Sequence, residues 1–322
     1  MEVDLFGLSK ALRKPSSPPR RSYLQNAAMQ LPISQFVNRW YGKVATRIHS
    51  YSLSNAIVYA LARFYSIRVM VRIGRRVSRR STDTTLQPVS DLIVGLPLEE
   101  ILKKIRSDGW CPGISLKGDT VRELLKYMDS QKYTCRSLPS ETQFRLQHRE
   151  RLESRYGASI CFVKCTDPYG SQIVQSIAND PMLRSLAARY FGYPPMKVDV
   201  QLLVSFATNT TVAERLAQKQ TIFYHYDLDD FHTLYFNFYL SPVDEESGAH
   251  VLIPGTHGAK SVSQLFRTLN FSDHEIEERR PKMQPMTICG NPGDGFVEDP
   301  FCFHKALPPK SRHRYALQLR FM

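Results

Sequence analysis

Apolar residues change their period near residue 195. Before it they recur at helical spacing: Leu98, Ile101, Leu102 and Ile105 in "LPLEEILKKIRSDGW" share one face, and Asp108-Gly109 ends the run. In "GDTVRELLKYMDSQ" Asp119 is the expected N-cap of a second helix. "DPMLRSLAARYFGYPP", residues 180–195, predicts a third, with Asp180 as cap, Pro181 in the first turn and Gly192 before two prolines as the stop. After Pro195 the segments become short, aromatic and β-branched: 198–207, 220–227, 233–241, 249–255, 286–290, 295–301 and 314–322. Seven such strands behind a helical stretch predict a mainly β fold with flanking helices, a sandwich or a barrel.

Upstream, residues 51–80 form an amphipathic helical pattern, apolar from Ala56 to Leu61 and carrying arginine at 63, 68, 72, 75, 76, 79 and 80. Burying those charges in hydrocarbon would cost roughly 3 kcal/mol each, which excludes a spanning helix. Two placements stay open: a helix lying on an anionic membrane surface, or one packed on the main domain with a solvated basic end. "KPSSPPRR", residues 14–21, predicts an unfolded linker, because its prolines offer no ladder donors. The chain therefore divides into a basic N-terminal extension over 1–80, partly disordered with an amphipathic helix, and a main domain over 81–322. That domain is expected to be helical over 95–195 and to form a β core over 196–322.

Charge follows the same division. Residues 1–80 hold fifteen of the 43 bases and two of the 30 acids, leaving 28 of each for the main domain, so the net +13 belongs entirely to the extension. A neutral main domain gives no reason to expect a nucleic-acid partner. Six cysteines without a C-x-x-C pair predict reduced thiols, and the first residues lack the basic start and apolar run of a secretory signal. The expected location is cytoplasmic, with peripheral membrane contact through residues 51–80 as the finer option.

Candidate chemistry concentrates in "FYHYDLDDFH", residues 223–232. A histidine and a carboxylate at i and i+2 on a strand point the same way, which pairs His225 with Asp227. A second histidine from a distant strand would complete the two-histidine, one-carboxylate facial set of non-haem Fe(II) oxygenases. His304 is best placed, after a strand and a turn and ten residues before Arg314. Arg314 opens the last strand and can hold the distal carboxylate of a dicarboxylate co-substrate through a bidentate fork, with Arg312 and Arg320 as alternatives. His148 and Glu150 repeat the H-x-E spacing on a helix, where i and i+2 diverge by about 200°. Asn237, polar among aromatics, either contacts the co-substrate or faces outward. Tyr224, Tyr226 and Tyr235 line the pocket or fill the core, while Asp229, Asp230 and His232 read as turn and loop. By spacing alone, a metal site and a chance H-x-D both remain open.

The segment "YHYDLDDFHTLYFNFYLSPVDEESGAHVLIPGTHG", followed by "GNPGDGFVEDPFCFHKALPPKSRHRYALQLRF", resembles the phytanoyl-CoA dioxygenase family of Fe(II)/2-oxoglutarate-dependent oxygenases. The resemblance is strong over 220–322, moderate back to about 95 and absent over 1–80. It implies a double-stranded β-helix, the cupin-like jelly roll, with Fe(II) held by His225, Asp227 and His304 and the 2-oxoglutarate 5-carboxylate by Arg314. It further implies an O2-consuming hydroxylase of a small-molecule or lipid-like substrate that releases succinate and CO2. Desaturation, cyclisation or epimerisation are alternative outcomes of the same chemistry, and a cupin-like metal protein without oxygenase activity is the alternative of another class. Because halogenating relatives carry a small residue where Asp227 stands, the resemblance argues against halogenation.

Overall fold

Strands of the main sheet turn apolar residues to one face and polar residues to the other, and that division sets the architecture. The computed structural model describes residues 53–79, 88–218, 220–258, 260–266, 270–279 and 284–322; the predicted linker at 14–21 lies outside them. Among these, eight strands form an antiparallel sheet in the order β1 (Ile93–Gly95), β2 (Trp110–Leu116), β9 (Asp294–Glu298), β6 (Leu234–Tyr239), β11 (Arg314–Phe321), β5 (Val198–Ser205), β4 (Phe162–Cys165) and β3 (Tyr133–Thr134). A smaller sheet, β10 (His304–Ala306), β7 (His250–Leu252) and β8 (Met286–Ile288), faces it. The two enclose a cavity of roughly 340 Å³ lined by both. This is the jelly-roll arrangement with helices outside.

In β11, Leu317, Leu319 and Phe321 point outward and are fully buried beneath helices that include Leu98–Asp108, Gly118–Ser130 and Pro181–Phe191. Each such side chain contributes about 1.5–3 kcal/mol by leaving water. The alternate positions Arg314, Ala316, Gln318 and Arg320 face the cavity. A period of two thus places an apolar core on one side of the sheet and a polar chamber on the other.

Several expectations are corrected. The 95–195 region is not only helical: β2, β3 and β4 lie in it and join the main sheet. "WCPGISL" hides a strand behind two breakers, because Pro112 sits at a bulge between Pro112 and Ile114 and Gly113 takes φ 93°. The helix after residue 117 begins at Gly118 with no side-chain cap, and Asp119 pairs with Arg122 in its first turn instead. Asp180 does cap its helix, accepting from Met182 and Leu183, and Gly192 ends it in the left-handed region. Residues 220–227 form no continuous strand: Tyr224 bridges Phe271 while His225 bridges His304, and this change of partner within two residues prevents a ladder.

Residues 53–79 fold as two helices, α1 (Leu53–Leu61) and α2 (Tyr65–Ser78), rather than one. The basic face of α2 turns toward the domain. Arg68 donates to the His257 and Gly258 carbonyls at 2.9 and 3.1 Å and lies 3.7 Å from the Phe301 ring centre, while Arg75 pairs with Asp230 at 2.9 Å. Met70, Ile73 and Val77 are left facing outward. All six cysteines are free thiols.

Candidate metal and co-substrate site

His225 and His304 sit opposite each other, each amide donating to the other's carbonyl at 2.9 and 2.8 Å. This brings their rings to 4.3 Å between centres. Each imidazole Nδ1 lies 3.0 Å from a carbonyl two residues earlier, Phe223 for one and Cys302 for the other. A carbonyl only accepts, so Nδ1 carries a hydrogen and Nε2 is the nitrogen turned to the cavity, free to bind a cation when it is deprotonated. Asp227, whose amide donates to Pro300 O at 2.9 Å, brings Oδ1 to 3.8 Å from His225 Nε2 and Oδ2 to 3.7 Å from His304 Nε2. One donor atom from each of the three residues lies within 4.8 Å of the others, and this is the metal-competent cluster found among the described residues.

Burial, aided by the neighbouring His304, lowers the His225 pKa to about 4. For His304 burial works the same way, but contact with Asp227 and the charge of Glu298 outweigh it and push the pKa up to about 9. Burial would raise Asp227, yet the two histidines hold it below the ordinary carboxylate range. At neutral pH the metal-free site therefore keeps one proton, on His304, that an incoming cation must displace. Metal affinity is expected to weaken roughly tenfold for each pH unit of acidification between those two pKa values. Calorimetry of Ni(II) binding in buffers of different ionisation heat should find close to one proton released; zero release would contradict this protonation pattern.

Around this cluster runs a hydrogen-bonded belt that the sequence did not disclose. Tyr235 OH lies 2.9 Å from Asp227 Oδ2 and 2.6 Å from Asp229 Oδ2, and Arg320 donates to the same Asp229 oxygen at 2.9 Å. Arg320 also donates to Gln318, Gln318 to Asn237 at 2.8 Å, and Asn237 to Glu298 at 3.1 Å. Glu298, with no exposed surface, meets His250 Nε2 at 2.8 Å, and the His250 ring stacks 5.4 Å from His304. Burial would raise the Glu298 carboxyl, but His250 overrides it and keeps it below the usual range. The signal that was available is strand parity: Glu298 shares a face with Phe296, which borders the cavity.

Other candidates fall as follows. Asn237 is buried and inward, which removes the outward-facing option. Tyr235 lines the cavity, whereas Tyr224 and Tyr226 fill a core cluster beneath Tyr59 and Phe271. Asp229 and Asp230 are corrected from solvated turn residues to ion-pair partners of Arg320 and Arg75. His232 is buried against Tyr193, its Nδ1 at 3.0 Å from the phenol, and is no exposed loop residue. Tyr235→Phe should weaken Ni(II) binding about 10–100-fold, the usual effect of deleting a hydrogen bond that orients a ligand. Unchanged affinity would mean that Asp227 is held in place without the phenol.

Arg314 lies at the other end of the cavity wall. Its guanidinium donates to the Gly248 carbonyl and, at 3.1 Å, to Ser205 Oγ, and no carboxylate among the described residues pairs with it. Burial lowers its pKa. This half-buried guanidinium borders the same cavity as the three metal-competent donors and is within reach of an anion placed there. By contrast, Arg320 is committed to Asp229, and Arg312 is exposed and paired with Asp244.

Two histidines and one carboxylate converging inside a jelly roll are the donor types of the two-histidine, one-carboxylate set. Residues 162–315 match the family model described as phytanoyl-CoA dioxygenase. Among curated proteins the comparison finds no match. Among solved structures, the α-ketoglutarate-dependent epimerase SnoN of nogalamycin biosynthesis is 18% identical, with TM-score 0.49, over 70% of this chain and 82% of its own. EctD from S. alaskensis with bound Fe is 15% identical, with TM-score 0.45, over 76% and 80%. EvdO2 from Micromonospora carbonacea var. aurantiaca, complexed with 2-oxoglutarate, is 17% identical, with TM-score 0.46, over 73% and 93%.

Proposed function

We propose that His225, Asp227 and His304 hold Fe(II), that Arg314 holds the 5-carboxylate of 2-oxoglutarate, and that the chain hydroxylates a small-molecule or lipid-like substrate. The observation that carries this reading is the coexistence, in one cavity, of three converging metal donors and a half-buried arginine with no carboxylate partner among the described residues. The donor set suits the metal: two neutral imidazole lone pairs and one carboxylate leave room for a chelating co-substrate. Iron with bound 2-oxoglutarate supplies dioxygen activation coupled to decarboxylation of the co-substrate to succinate and CO2. The chain's own residues orient the partners. The Phe223 and Cys302 carbonyls fix the imidazole tautomers, Tyr235 fixes Asp227, and Ser205 and the Gly248 carbonyl hold the Arg314 fork toward the cavity. Asn237, locked between Glu298 and Gln318, borders the co-substrate path as a positioning residue. Incubation with Fe(II), ascorbate and 2-oxoglutarate should generate succinate that depends on both iron and O2. A metal protein of the hydrolytic or purely binding kind would leave 2-oxoglutarate unconsumed.

Among the described residues no helix is long and apolar enough to cross a membrane. For residues 51–80 the finer reading is peripheral contact with an anionic membrane, supported by the outward stripe of Met70, Ile73 and Val77 beside the exposed Arg76 and Arg79. Co-sedimentation with phosphatidylserine vesicles is expected, and should be lost when all three stripe residues are replaced by serine. Equal recovery of both proteins in the supernatant would reject that contact.

A further inference from the structure

Of the three metal donors, Asp227 has the least backbone support. His304 opens β10 and shares its ladder to β7, and His225 bridges His304. Among the described residues Asp227 enters no ladder or bridge: its amide donates to Pro300 O, and the chain runs on through 228–233 before β6 begins. From the cavity side, Tyr235 meets Asp227 and Asp229, and Arg320 meets Asp229. Asp230, the next residue, is held by α2 instead.

Arg75 grips this turn at two points. One guanidinium nitrogen pairs with Asp230 Oδ1 at 2.9 Å, and the other donates to Tyr193 OH at 3.0 Å. That phenol accepts from Arg75 and so has its own hydrogen for His232 Nδ1, 3.0 Å away. Asp230 Oδ1 also accepts from the Phe231 amide, which ties the turn to itself as well as to the helix. The Arg75–Asp230 pair is mostly out of water, with side-chain exposures of 20% and 15%, so it is screened less than a surface pair. Arg68, seven residues earlier, shares that face of α2. It lies 3.7 Å from the Phe301 ring centre while donating to the His257 and Gly258 carbonyls. Phe301 follows Pro300, whose carbonyl receives the Asp227 amide. One helix face therefore holds both the turn that follows Asp227 and the turn opposite it. Beside the donors, Tyr224, Tyr226, Phe301 and Phe303 fill a buried cluster with Tyr59 and Ala62 of α1. Helices α1 and α2 thus back the metal cluster, although they lie outside the matched residues 162–315.

We infer that Arg75 and Arg68 are positioning residues of the metal site: by fixing the Asp230 turn and the Phe301 turn against α2, they hold the Asp227 carboxylate where it meets both histidines. This inference rests on the reading of His225, Asp227 and His304 as metal ligands. It gives the basic N-terminal helix a part in the site that is separate from any contact made by its outward stripe.

The test measures Ni(II) affinity of the full chain by calorimetry, at a temperature where circular dichroism shows each variant folded, beside thermal unfolding of the metal-free proteins. Arg75→Ala, Asp230→Asn and Arg68→Met are each expected to bind Ni(II) about five- to tenfold more weakly, less than loss of a group that touches a ligand directly. Through-space electrostatics alone predicts opposite signs, since losing a cation would strengthen binding of Ni(II) and losing an anion would weaken it. Weakening by both Arg75→Ala and Asp230→Asn is therefore the mark of positioning. Asp230→Asn keeps an oxygen for the Phe231 amide and loses the charge, so it decides the matter even where Arg75→Ala does not fold. The double variant should bind no more weakly than Arg75→Ala, because both changes break one interaction, and Arg75→Lys should recover part of the loss. Arg76→Ala, on the exposed side of α2, should stay within about twofold of wild type. Ni(II) affinity equal to wild type in Arg75→Ala, Asp230→Asn and Arg68→Met, with only the unfolding temperature lowered, would overturn the inference, as would fully additive losses in the double variant. Wild type that binds Ni(II) while the variants match it defeats this inference alone; wild type that binds no Ni(II) defeats the metal reading and this one with it.

Discussion

Asp227→Ala is expected to abolish turnover and to weaken Fe(II) or Ni(II) binding by more than about 100-fold, beyond what loss of an orienting contact does. One effect dominates, a second offsets a small part of it, and the fold is spared. The site loses its only anionic ligand, leaving two neutral imidazoles facing a divalent cation. His304 loses the contact that holds its pKa up to about 9, so its ring becomes neutral in the metal-free protein and no longer has a proton to release. Tyr235 retains Asp229 as an acceptor at 2.6 Å, and Arg320 retains the same carboxylate, so the belt survives and the protein should still fold. His225→Ala and His304→Ala should give the same loss of turnover. A folded Asp227→Ala protein that binds metal as wild type does would remove Asp227 from the ligand set.

Arg314→Ala should act on the co-substrate and spare the metal. A charge-assisted, bidentate contact contributes ~2–3 kcal/mol, so 2-oxoglutarate affinity should fall roughly 30–150-fold while Ni(II) affinity stays within about threefold. Arg314→Lys should recover part of the loss, because a lysine keeps the charge but not the planar fork that Ser205 and Gly248 support. Unchanged 2-oxoglutarate affinity in Arg314→Ala would mean that another cation of the cavity, Lys164 or Arg320, receives the carboxylate.

Much of this site was legible because period-two alternation is a local property. In "RYALQLRF" the inward set Arg314, Gln318 and Arg320 and the outward set Leu317, Leu319 and Phe321 can be separated on parity alone. The same rule pairs His225 with Asp227 even though only isolated bridges form there, since extended backbone alternates with or without a ladder. What remained hidden depends on pairing between distant segments. Glu298 and His250 are 48 residues apart, and only the facing of the two sheets makes them partners. Lys164 carried no signal of its own in the sequence, and only register with Leu203 places it on the chamber wall. The four strands before residue 195 escaped notice because they are short or carry Pro112 and Gly113, which act as breakers wherever a bulge does not accommodate them. The direction of α2 was unreadable for a similar reason: its arginines look solvated until Phe301, Tyr190 and Asp230 are brought beneath them.

In the proposed site one cavity holds a metal through His225, Asp227 and His304 and a chelated co-substrate through Arg314. Anaerobic titration of the Fe(II)-loaded chain with 2-oxoglutarate, followed by visible absorption, tests it most directly. A charge-transfer band is expected that saturates at equal stoichiometry with iron, disappears in Asp227→Ala and needs far more 2-oxoglutarate in Arg314→Ala. A wild-type protein that binds iron yet develops no band at any 2-oxoglutarate concentration would contradict it.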